Sequence, residues 1–99
     1  MVVTRMNLTR VYTLEVGGEP VLTFEAHKHS EAVEITREGW MHDDLRGLKS
    51  RGLPLWDGLA RLSVRVAMEN EIAVFRESKA AADPTEDSSI VLAFLKELD

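Results

Sequence analysis

Val11-Tyr12-Thr13-Leu14-Glu15-Val16, then Gly17-Gly18-Glu19, then Pro20-Val21-Leu22-Thr23-Phe24-Glu25-Ala26, is the stretch that decides the fold. Two β-rich runs flank a glycine pair, and glycine supplies the positive φ that tight hairpin turns demand. Side chains alternate between the faces of a strand, so parity tests the register. A loop of Gly17 to Glu19 sets Tyr12 opposite Phe24, Leu14 opposite Leu22 and Val16 opposite Pro20 on one face, with Thr13 opposite Thr23 on the other. A two-residue loop sets Leu22 opposite Thr13 and mixes the faces. The longer loop is therefore expected, with Pro20 at the strand start, where a missing N–H is tolerated.

Outward from the hairpin the period changes. Ser30-Glu31 reads as an N-cap followed by an acid in a first helical turn, and Ala32, Ile35, Gly39 and Trp40 follow at helical spacing. Asp43 can cap a second short helix with Leu45 and Leu48 on one face, stopped at Gly52. Leu53-Pro54-Leu55-Trp56-Asp57-Gly58 is an apolar connection in which Trp56 plugs the edge of the core. Leu62, Val64, Val66 and Met68 alternate with polar or small residues as a third strand. Asn70 is expected to cap a helix from Glu71 to Ala82, with Ile72, Val74 and Phe75 inward. Asp83 to Ser89 reads as a mobile acidic loop and residues 1–9 as a frayed start. Ile90 to Leu95, apolar on both faces, is expected as a buried fourth strand. The resulting expectation is one α+β domain over residues 1–99, ordered β-β-α(-α)-β-α-β, with a largely antiparallel four-stranded sheet and helices packed on one face.

With 99 residues, one core is what the chain can build. The chain has no cysteine, which removes disulfides, thiolate nucleophiles and cysteine-bound metals. No apolar run reaches a membrane span and the start does not read as a signal peptide, so a cytoplasmic location without membrane attachment is expected. Twelve Lys+Arg against seventeen Asp+Glu give a net charge of −5. Residues 37–65 are nonetheless mildly basic, through Arg46, Lys49, Arg51, Arg61 and Arg65. The overall sign argues against a nucleic-acid partner and for a solvated basic surface.

Tyr12-Thr13-Leu14 before a glycine turn, Glu19-Pro20-Val21, Leu55-Trp56-Asp57-Gly58, Leu62-Ser63-Val64-Arg65-Val66 and the acidic loop before an Ile-Val-Leu run together resemble a set of short uncharacterised bacterial α+β proteins. The resemblance implies the architecture and carries no activity.

His27, His29, His42, Asp43 and Asp44 are the residues with metal-ligand chemistry, since neutral imidazole and carboxylate suit zinc, nickel or iron(II). They would serve a small metal-dependent enzyme or metal sensor if folding brought His42 to the His27/His29 pair. Gly17-Gly18 precedes a strand, unlike a phosphate loop, and Ser30 has a capping role, so neither points to catalysis. No catalytic constellation and no cofactor is expected. Trp40, Arg51 and Trp56 are the candidates for a partner surface. The leading expectation is a non-catalytic binding or assembly module, acting through a protein partner or through self-association.

Overall fold

The computed structural model describes residues 9–81 and 90–99. The expected fraying of residues 1–9, except at Thr9, and the expected acidic loop 83–89 lie outside the described residues. The elements are β1 (Arg10–Val16), β2 (Glu19–Ala26), α1 (His29–Thr36), α2 (Gly39–Gly47), β3 (Lys49–Ser50), β4 (Leu53–Pro54), β5 (Leu62–Val66), α3 (Glu69–Ala81) and β6 (Ala93–Phe94). Strands β5, β1, β2 and β6 lie side by side in that order as an antiparallel sheet, and β3 and β4 form a separate small hairpin. The α+β class and the four-stranded sheet agree with the sequence reading.

The central hairpin holds the parity register, with Tyr12 opposite Phe24, Thr13 opposite Thr23 and Leu14 opposite Leu22. Beyond Leu14 the register shifts, so Glu15 meets Pro20 and Val16 meets Glu19. A β-bulge absorbs one residue of β2, leaving a two-residue turn of Gly17 (φ 60°) and Gly18 (φ 85°) in place of the expected three-residue loop. Positive φ at both centres matches the turn whose twist suits a hairpin, and the bulge reconciles it with the buried face.

Tyr12, Leu14, Leu22 and Phe24 point to one face and join Ala32, Met41, Leu45, Leu55 and Trp56 in a continuous buried core. Helices α1 and α2 supply the cover. Helix α3 lies on the other face, because its Glu71 accepts a hydrogen bond from Thr13 and its Lys79 reaches Glu25, and both of those strand positions alternate with the core residues. Helices on one face therefore describes α1 and α2, whereas α3 closes the opposite side.

The helix boundaries differ from expectation for local reasons. Lys28, with extended backbone, precedes α1, and Ser30 sits inside its first turn. Glu31 there reaches back to accept from the His27 N–H at 3.3 Å, which ties the residue before the cap to the first turn, and the expected side-chain cap is not formed. Gly39 opens α2, Asp43 lies within it, and Trp40 belongs to α2 with 40% exposure. The second helix stops at Gly47, and Arg51 (φ 54°) and Gly52 (φ 79°) turn the β3–β4 hairpin that replaces its expected last turn. Helix α3 starts at Glu69, with the Met68 carbonyl accepting the Ile72 N–H, which places Asn70 inside the helix. Its buried residues are Glu71 and Phe75, while Val74 is exposed. The fourth strand is a short edge strand beside β2 rather than a buried central member. Strand β5 consequently forms the opposite edge.

Candidate strand-docking edge

The alternation of backbone direction along β5 sets what its outer side offers. Gly17 N–H donates to the Arg61 carbonyl and Ala67 N–H to the Val11 carbonyl, so in this ladder Arg61, Ser63, Arg65 and Ala67 turn their backbone groups toward β1. Leu62, Val64 and Val66 turn theirs outward. Two of the outward carbonyls are held by side chains. His29, the first residue of α1, donates its Nε2–H to the Val64 carbonyl at 3.0 Å, which fixes its tautomer, and its ring lies 6.2 Å from that of Tyr12. Arg65 NH1 donates to the Val66 carbonyl at 3.2 Å. Among the described residues, the Leu62, Val64 and Val66 N–H groups carry no backbone bond.

A groove of about 300 Å³ runs beside this edge, lined by Leu62 and Val64 of β5, by Val33 and Arg37, and by His42 and Trp56. Trp56 is fixed in place by its surroundings. Leu55 N–H donates to the Leu48 carbonyl and Trp56 N–H to the Leu45 carbonyl, binding the connection to α2. The Asp57 carboxylate accepts from the N–H groups of Leu59 and Ala60, each at 2.8 Å, and these two bonds draw its pKa below the usual carboxylate value. That turn presents the Ala60 carbonyl to the indole Nε1–H at 2.8 Å. His42 lies against the Trp56 ring at 4.9 Å, and the Arg46 guanidinium sits 5.1 Å from the ring centroid on the next turn of α2. A buried aromatic with its polar tip satisfied and a guanidinium beside its ring forms a rigid wall for the groove.

Behind β5, on the α3 side, Arg65 is clamped. Its Nε donates to Glu15 at 2.9 Å, and its NH1 and NH2 donate to Glu71 at 2.7 and 2.9 Å. Glu71 also accepts from Thr13 Oγ1 at 2.9 Å and from Met68 N–H at 2.8 Å. Hydrogen bonding from Arg65, with Met68 N–H and Thr13 adding to it against the opposing effect of burial, lowers the Glu71 pKa to about 2. The same bonds make Arg65 hold its proton more tightly than a free guanidinium. Every strong donor and acceptor in this network is engaged, so it braces β5 against α3.

The residues singled out from the sequence divide as follows. His27 Nδ1 pairs with Glu31 at 3.1 Å, His29 serves the Val64 carbonyl, and His42 rests on Trp56. Asp43 and Asp44 are exposed on α2. The fold does not bring the imidazoles together, and among the described residues no group of three His, Asp or Glu side chains could hold a metal ion. Trp56 lines the groove. Trp40 lies exposed on α2, and Arg51 lines a separate cleft of about 490 Å³ between the β3–β4 turn and the C-terminal segment. In that cleft Lys96 is already paired with Glu19 at 2.7 Å. Reasoning from sequence missed His29 as an edge residue and missed Glu71, for which a glutamate three positions beyond the residue preceding the helix was the available signal.

No family model matches the chain, and no curated protein or solved structure matches it. No helix among the described residues is long and apolar enough to cross a membrane.

Proposed function

We propose that this chain is a non-catalytic binding module that takes up an extended polypeptide segment as an added strand along β5. The observation that carries the reading is the row of outward N–H groups at Leu62, Val64 and Val66 beside the Trp56 groove. An added strand gains affinity from main-chain hydrogen bonds and specificity from pockets that receive alternate side chains. Here the even-numbered positions of β5 turn both their side chains toward the groove side and their backbone groups toward the edge. Arg37 in the groove lining and Arg46 against the Trp56 ring favour an acidic side chain next to an apolar one.

The test is titration of the isotope-labelled protein with blocked ten-residue peptides in which valine alternates with aspartate, threonine or lysine. The expected result is displacement of the Leu62, Val64 and Val66 amide signals and of the Trp56 indole N–H, strongest for the aspartate series. Val64→Pro should abolish it, because the N–H it removes faces outward and the β1 ladder is left intact. Unmoved β5 amides at millimolar peptide, in a chain that also fails to self-associate, would overturn the proposal.

A further inference from the structure

We infer that the strand this edge receives is β5 of a second copy of the chain, paired antiparallel across a two-fold axis at Val64. The inference rests on the strand-docking reading above and names its partner.

Outward-facing backbone groups pair only with outward-facing ones, so Leu62, Val64 and Val66 must oppose residues of the same set. Three centred registers satisfy this around the middle of the strand. Centring on Ser63 places Arg61 opposite Arg65 of the second copy. Centring on Arg65 places the two Arg65 residues opposite each other. Like charges directly opposite are destabilising. Centring on Val64 avoids both: Leu62 opposes Val66, Val64 opposes Val64, Ser63 opposes Arg65 and Arg61 opposes Ala67. All five residues of β5 are then paired. Apolar side chains meet apolar ones on the core-side face, covering Val66, which is 52% exposed in the single chain. On the reverse face each Arg65 lies opposite Ser63 of the other copy and stays clamped by Glu15 and Glu71 of its own, so no two arginines stand directly opposite.

The pattern also assigns a role to His29. The carbonyl at the centre of the favoured register is that of Val64, which His29 occupies. Pairing requires His29 to swing away, so this side chain is a latch that weakens the dimer and limits runaway edge-to-edge association.

Sedimentation over a concentration series tests this. The expected result is a concentration-dependent dimer in the native chain, at least about tenfold tighter in His29→Ala, where two competing hydrogen bonds, one in each copy, are gone, and lost in Val64→Pro. Folding of both variants is verified by circular dichroism. Register is read by single cysteines, since the chain has none of its own. Under mild oxidation, Val64→Cys should cross-link faster than Leu62→Cys or Val66→Cys, because only position 64 faces itself at about 5.5 Å between Cα atoms, within disulfide reach. A chain that stays monomeric in both native and His29→Ala forms, while peptides still move the β5 amides, overturns the second-copy inference and leaves the docking reading standing. A dimer insensitive to Val64→Pro, or cross-linked equally at all three positions, places the interface elsewhere and also overturns the inference. Loss of both dimer and peptide binding removes the two together.

Discussion

The two faces of the central sheet are held by different physics. On the α1/α2 side, Tyr12, Leu14, Leu22 and Phe24 meet Met41, Leu45 and Trp56 in a dry apolar core. On the α3 side, Thr13 and Thr23 are fully buried, and the cover is fastened by Glu71, Arg65 and Glu15. The first face gains from removing carbon from water, an interaction that is non-directional and indifferent to pH. The second depends on geometry, since each buried polar group is stable only while its partners are present. Strands β1 and β2 belong to both, because alternate residues along each serve the two regimes.

Substitutions on the two sides should separate these regimes. The largest effect is expected for Phe24→Ala, at about 3–5 kcal/mol lost in urea unfolding, from lost transfer energy plus a cavity at the sheet centre. This loss should be constant across pH 3–8. Glu71→Gln should cost less, roughly 2–3 kcal/mol at pH 7, because it weakens one partner of a clamped arginine while keeping shape. Its signature lies in the pH dependence. The folded Glu71 pKa of about 2 lies below its ordinary value of 4.5, so the stability it contributes is complete above pH 4.5 and is lost as pH falls toward 2. The stability gap between the native chain and Glu71→Gln should therefore narrow through that window, and a gap that stays constant would break the contrast between the faces. The smallest effect is expected for Lys79→Ala. Its pair with Glu25 on the same polar face spans 2.8 Å, but the lysine is 56% exposed, so less than about 0.5 kcal/mol should be lost.

The same contrast explains what could be read from the sequence. Parity alone fixed Tyr12 against Phe24 and Leu14 against Leu22, since a slipped register would expose the whole apolar set. The turn came out one residue shorter because a bulge decouples turn length from strand parity, and no residue type announces a bulge at Pro20-Val21. Trp56 as an edge plug follows from its size and its place in a Leu-Pro-Leu-Trp run. Glu71 was legible as a capping acid and not as a buried one, because a charged residue beside a predicted cap reads as solvent-facing until Thr13 and Arg65, distant in sequence, are known to sit beside it. Arg51 was read as preceding a helix stop because left-handed backbone in a non-glycine residue has no sequence signature. The histidine pair was legible as chemistry and not as position: His27 and His29 lie two residues apart, yet one turns to Glu31 and the other to the far edge of the sheet.

The place of β6 beside β2 bears on the birth of the protein. Thr23 finds its partner strand only at Ala93, a separation of 70 residues. At a synthesis rate of about 5–20 residues per second, the outer side of β2 waits about 4–14 seconds on the ribosome for its neighbour. During that interval the nascent hairpin offers a second row of unpaired backbone groups, on the side of the sheet away from β5. Timing of translation, rather than side-chain chemistry, limits the exposure of that edge.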